Sequence, residues 1–203
     1  MDLVTNTIIK RKNASEGGLI GGWFSFEKNG QLYGISCNHV IANINACRVG
    51  DILANEKNDD IGVLSHWLQL KPAQNGFTNK AEFALFLPKP NLTPLWRSKP
   101  NGFVNGTVDA RVDFRCDDYA SRGTITNMSH PVSITWNNID YHFRCIEVKS
   151  ETNGSFSKPG HSGGSVYCDE KLLGIILGIN ETGDKTYVVP FADGILNLVA
   201  LAI

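Results

Sequence analysis

The chain has 203 residues, 42% of them hydrophobic, and a net charge of −1. That length suits one large domain or two small, closely packed ones with a real core. Near-neutral charge without a basic stripe excludes the usual nucleic-acid binder, and no apolar run is long enough to span a bilayer. The start, Met1-Asp2-Leu3-Val4-Thr5-Asn6, has no basic region followed by an apolar core, so no secretory signal is expected and the expected setting is cytoplasmic. The five cysteines, Cys37, Cys47, Cys116, Cys145 and Cys168, are odd in number and show no Cys-x-x-Cys spacing. Free thiols are the expectation, with no structural zinc site and no cofactor.

Leu3 to Ile9 reads as an edge strand, followed by a polar loop. Asn29-Gly30 separates two β-prone runs, Leu19 to Phe26 and Leu32 to Ser36, and predicts a hairpin. Cys37-Asn38-His39-Val40-Ile41 follows at once, which sets His39 just past a strand. Ile61 to Leu64 and Trp67 to Leu70 read as strands. Next comes Asn79-Lys80-Ala81-Glu82-Phe83-Ala84-Leu85-Phe86, with an acid at the head of an almost continuous apolar strand. An exposed carboxylate is the plain reading of Glu82. A charge abutting Phe83 to Phe86 is instead expected to be partly buried and partnered. Prolines and Asn-Gly pairs make residues 91–108 an irregular connector between an N-terminal unit, 1–90, and a C-terminal unit, 109–203. Short β-like runs then resume, among them Gly123 to Thr126, Val132 to Trp136 and Tyr141 to Val148. Residues 193–203 have helical periodicity and predict a short C-terminal helix.

The stretch Pro159-Gly160-His161-Ser162-Gly163-Gly164 reads either as a glycine-rich surface turn or as a site of chemistry. Glycines let backbone amides crowd a reacting carbonyl, so the N–H groups of Gly160 and Ser162 are placed to bind a developing oxyanion. A serine hydroxyl needs a base to take its proton and an acid to orient that base. His39, Glu82 and Ser162 supply these in the order His, acid, Ser, each at the edge of a predicted strand. Asp59 and Asp60 are rivals for the acid. Cys37 is a second nucleophile on paper but lacks the glycine setting.

Three segments carry a resemblance. Ile35-Ser36-Cys37-Asn38-His39-Val40-Ile41, Asn79-Lys80-Ala81-Glu82-Phe83-Ala84-Leu85 and Gly160-His161-Ser162-Gly163-Gly164 resemble the histidine, acid and serine segments of the trypsin-like (chymotrypsin-fold) serine peptidases, above all their prokaryotic members. The resemblance implies an all-β fold of two six-stranded antiparallel barrels with the active site between them. It implies a serine endopeptidase working through an acyl-enzyme, with Ser162 as nucleophile, His39 as base, Glu82 as orienting acid and the Gly160 and Ser162 amides as oxyanion hole. It places the substrate pocket around Phe156, Gly178, Ile179 and Thr186. Glu181 and Asp184, in the loop after Ile179, are the one source of an acid for that pocket. A polypeptide substrate is implied, with a dedicated partner protein as substrate or regulator. The family usually has Asp where Glu82 stands. His161 stands where secreted zymogens have the Asp that receives a newly cut N-terminus, so activation by such a cut is not expected. An inert protease-fold binding module and an esterase using the same three residues are the alternative readings.

Overall fold

A computed structural model describes residues 2–25, 30–74, 76–152 and 154–191. In chain order the elements are β1 (Asp2–Val4), β2 (Ile8–Arg11), β3 (Gly18–Leu19), β4 (Gly22–Ser25), β5 (Leu32–Cys37), α1 (Asn38–Ile41), β6 (Ile52–Ala54), β7 (Asp60–Trp67), β8 (Phe83–Pro88) and β9 (Thr93–Leu95). They continue as β10 (Arg111–Arg115), β11 (Ala120–Trp136), β12 (Ile139–Ser150), β13 (Ser165–Cys168), β14 (Lys171–Ile179) and β15 (Lys185–Pro190). The expected C-terminal helix lies outside the described residues, as does Asn29 of the expected hairpin turn. Its flanking strands β4 and β5 do pair antiparallel, Gly22 to Ser25 against Ile35 to Leu32.

The molecule is all-β, built on two sheets. The first, in the order β3-β2-β6-β7-β8-β5-β4, curls like a barrel and carries seven strands where six are expected; the two-residue β3 extends β2. The second is a closed six-stranded barrel, β10-β11-β12-β15-β14-β13. The expected Leu3–Ile9 strand is two, because Asn6 turns the chain with φ 60° between β1 and β2. β1 then pairs in parallel with β9.

Burial follows from side-chain alternation. Arg-Val-Asp-Phe-Arg in β10 buries Val112 and Phe114 and leaves its charges outside. β8 is apolar at nearly every position because both its faces are covered. The largest departure is in β11. The separate runs at 123–126 and 132–136 form one 17-residue strand, hairpinned to β12 through Asn137 and Asn138 at φ 51° and 61°. Two left-handed residues match the twist of a tight hairpin, and asparagine tolerates that geometry. Register shifts between Ile125 and His130 divide the arm. Its base packs Ile125, Ile146 and Val148 into the second barrel's core. Its tip packs Val132, Tyr141 and Phe143 into the core of the first.

Hydrogen bonds fix the two sheets to each other. The Asn6 amide donates to the Arg115 carbonyl at 2.8 Å and accepts the Ser165 N–H at 2.7 Å. The Ser165 hydroxyl donates to the Gly21 carbonyl. The Leu19 N–H donates to the carbonyl of Ser162 at 2.8 Å, so the serine turn is tied directly to the first sheet. No helix among the described residues is long and apolar enough to cross a membrane.

Candidate active site

His39 sits in the single turn of α1, directly after β5 ends at Cys37. So short a helix is held from outside. The buried Asn38 amide donates to the carbonyls of Leu68 and, from its side chain, Asn45, each at 2.8 Å, and its oxygen accepts the Asn45 N–H. The Asn38 N–H donates to the Glu82 carbonyl at 3.1 Å, which fixes the end of β5 against the start of β8. That pairing brings Glu82 to His39. Glu82 Oε1 lies 2.7 Å from His39 Nδ1 and accepts the His39 backbone N–H at 2.6 Å.

Glu82 is fully buried, and its second oxygen, Oε2, has no hydrogen-bond partner. An unpaired carboxylate oxygen in a core is costly, so its surroundings matter. Two thiols lie near it. Burial first, then the Glu82 charge, push Cys37 well above the ordinary thiol range, and the same causes act on Cys145. Both are held as neutral thiols, which makes them poor nucleophiles. The rival acids are engaged elsewhere. Asp60 pairs with Lys12 at 2.7 Å and with Lys89 at 3.4 Å, and Asp59 accepts from the Asn55 amide at 3.1 Å.

The sequence pointed to no group on the other side of the imidazole. The structure places Trp136 there, stacked on His39 with ring centroids 5.0 Å apart and an interplanar angle of 26°. The indole comes from the tip of the β11–β12 arm and is braced by Tyr141 and Phe143. No local pattern announces this contact, since the two rings meet only through tertiary packing. Asn79, quoted above only as part of a motif, clips the arm to the first sheet: its N–H donates to the His142 carbonyl at 2.8 Å and its side chain holds Lys71.

Ser162 lies in the turn before β13. Gly163 next to it has φ 89°, and a Cβ there would fall 2.4 Å from the Leu19 carbonyl, so only glycine lets the turn approach the first sheet so closely. The Ser162 hydroxyl donates to the Leu177 carbonyl at 3.0 Å rather than to His39. Gly160 is also left-handed at φ 89°, and neither its N–H nor that of Ser162 donates to an acceptor among the described residues. Those two donors are what an oxyanion would need. Between them stands His161, half-buried against Phe114 and Tyr119 at ring distances of 5.0 and 5.2 Å. Its Nδ1 accepts the Lys158 N–H at 3.1 Å.

The expected pocket residues separate into two groups. Phe156 is fully buried in the second barrel's core, and Thr186, also fully buried, hydrogen-bonds the Ser157 hydroxyl at 2.8 Å. Neither offers surface. Gly178 and Ile179 are half-buried at the end of β14, and a Cβ on Gly178 would meet no heavy atom within 4 Å. Open space therefore adjoins the strand that holds the Ser162 hydroxyl. Asp184 accepts from Asn180 and Thr182 within its own exposed loop; these hydrogen bonds, Thr182's first, hold it below the usual carboxylate range. A groove of about 1370 Å³ contains none of His39, Glu82 or Ser162; Tyr119, Ser155 and Lys158 help to line it.

No family model and no curated protein matches the sequence. Solved structures do match. The chain is similar to the Nocardiopsis protease NAPase, with a TM-score of 0.68 and 15% identity over 98% of this chain and 97% of that one. It is similar to Cellulomonas bogoriensis chymotrypsin at 0.64 and 19% identity, again over 98% and 97%. Thermobifida fusca protease A matches at 0.66 and 11% identity over the same shares. Likeness at such low identity is a likeness of fold, and both halves of the chain take part in it: the chain has the chymotrypsin-like fold of the bacterial serine proteases.

Proposed function

We propose that the protein is a serine endopeptidase that cleaves polypeptides through an acyl-enzyme. The observation that carries this reading is the 2.7 Å His39–Glu82 hydrogen bond, in a protease fold whose serine turn is tied to the same sheet. In this reading the Ser162 hydroxyl leaves the Leu177 carbonyl and donates to His39 Nε2. The oxygen attacks the substrate carbonyl as its proton passes to Nε2. Glu82 accepts the Nδ1 proton in a hydrogen bond and stabilises the imidazolium. The Gly160 and Ser162 N–H groups receive the oxyanion. The imidazolium then protonates the leaving amine, and water repeats the sequence to free the acid.

Reaction with a fluorophosphonate tests this directly. Label on Ser162, lost in Ser162→Ala together with about a millionfold of turnover, is the expected result; a native-like Ser162→Ala that keeps activity within tenfold rejects Ser162 as nucleophile. One observation favours a second reading, an inert binding module: the Ser162 hydroxyl bonds Leu177 and not His39. Absence of labelling in a folded protein would support it. An esterase would label equally and be told apart by turning over esters but no peptide.

Specificity for an apolar or small residue before the cleaved bond belongs to the same proposal. The wall at Gly178 and Ile179 carries no charge, and Asp184 is tied into its own loop. Glu181 is exposed in the same loop, so a desolvated Lys or Arg would have no buried counter-charge there. Peptide-library cleavage read by mass spectrometry checks this, and a strong preference for Lys or Arg would overturn it. The substrate we favour is a dedicated partner protein in the cytoplasm, to be identified by proteomic comparison of cells carrying wild type and Ser162→Ala.

A further inference from the structure

Behind the His39–Glu82 hydrogen bond lies a set of groups that peptide hydrolysis does not use. The Cys37 thiol, the His39 imidazole and the Glu82 carboxylate each present a ligand atom, and these atoms all lie within 4.8 Å of one another. No other trio of His, Cys, Asp or Glu closes so tightly among the described residues. Cys37 and Glu82 are fully buried, and Glu82 Oε2 is left without a hydrogen-bond partner. The thiol donates to the Ile176 carbonyl at 3.3 Å and lies close enough to the Glu82 carboxylate to feel its charge. A buried carboxylate oxygen without a hydrogen-bond partner, beside a thiol and an imidazole nitrogen, is a donor set that a cation would complete.

We propose that Cys37, His39 Nδ1 and Glu82 form a reversible inhibitory site for a borderline-soft divalent cation of the Zn²⁺ type. Sulfur, nitrogen and oxygen together select such an ion over Ca²⁺ or Mg²⁺, which take oxygen alone. Bonds of about 2.0–2.3 Å in a tetrahedral array put ligand atoms roughly 3.3–3.8 Å apart. The Nδ1–Oε1 contact of 2.7 Å must therefore open, and the extra methylene of glutamate permits it. Oε1 keeps the His39 backbone N–H while Oε2 turns to the ion. His39, with 18% of its side-chain surface exposed, is the member that reaches solvent, so the ion enters past the imidazole edge.

The protons balance simply. The thiol proton leaves to solvent, and the Nδ1 proton is replaced by one on Nε2, so the imidazole stays neutral and one proton is released per ion. With Nε2 protonated, the ring no longer accepts the Ser162 proton, and hydrolysis stops until the ion leaves. The inhibition rests on the peptidase reading above; ion binding does not.

Co²⁺ is the probe, added to the full chain in a non-thiol reductant. The expected result is one ion per chain, a near-ultraviolet thiolate-to-cobalt band, and displacement by Zn²⁺. Cys37→Ala should lose the band and weaken binding by roughly tenfold or more. Should Cys37→Ala not fold, Cys37→Ser keeps the shape and loses the band. In the peptidase assay, Zn²⁺ should suppress wild type at concentrations that leave the Cys37 variants active. No thiolate band in wild type, or a band and inhibition that persist without Cys37, overturns the site. A Cys37-dependent band in a protein that hydrolyses nothing keeps the site and rejects the peptidase; hydrolysis indifferent to Zn²⁺ does the reverse.

Discussion

Glu82 carries more of the candidate site than its place in the sequence suggests. One of its oxygens receives both the ring and the backbone of His39, so a single carboxylate orients the imidazole and fixes the turn that holds it. Glu82→Gln keeps the shape but presents an N–H as readily as an acceptor, which favours the wrong imidazole tautomer. Peptide turnover should fall about ten-thousandfold. Asp60→Asn removes only a surface pairing with Lys12 and Lys89 and should leave turnover near wild type. If those two results exchange places, Glu82 is not the acid. His161 sets a different expectation. Burial, opposed by Asp118 and reinforced by Lys158, pulls its imidazole below the ordinary value. The folded state thus prefers the neutral ring, whereas the unfolded chain takes a proton more readily. The stability this contributes is complete above about pH 6.5 and is lost as the pH falls below it. Unfolding temperatures measured from about pH 7.5 to 5 should decline less steeply in His161→Gln than in wild type; parallel curves would show that His161 contributes nothing to acid sensitivity.

At the scale of elements, the β11–β12 arm does what neither sheet does alone: it is rooted in the second core, ends in the first, and lays Trp136 on His39. The indole face favours an imidazolium over a neutral ring, so in the proposed mechanism it would support the charge that forms on His39. Trp136→Ala should lower kcat/KM by about threefold to tenfold, with Trp136→Phe retaining most of the activity. An unchanged kcat/KM in Trp136→Ala would reduce the stack to packing. This arm also marks where sequence reading stops. The strands on either side of the Asn137-Asn138 turn were legible, because β-prone runs are local. Their merger into one arm serving two cores was not, because the register shifts near Asn127 answer to packing across the molecule. His39, Glu82 and Ser162 stood out because each sits at a strand edge with a local signature. Trp136, Cys37 and Asn79 gained their places only when distant strands met.

At the scale of the molecule, the all-β class was readable from many short strands, the division into two sheets came only with the family resemblance, and the order of strands within each sheet was not readable. β5 finds β8, and β10 finds β13, across long stretches of chain. The same is true of the ties between sheets, where Asn6 reaches Ser165, 159 residues away. Seen as events in time, these ties predict that the candidate site is the last part to assemble. The Leu19–Ser162 hydrogen bond joins residues far apart in the chain, and such long-range closures are slow, so it is expected to close after each sheet has formed. On refolding from denaturant, the far-ultraviolet β signal should return before hydrolysis does, and equal rates for the two would contradict this order. If the chain is the peptidase proposed above, a newly made copy would pass through its early stages unarmed, unable to cut neighbouring chains or itself until its own architecture is finished.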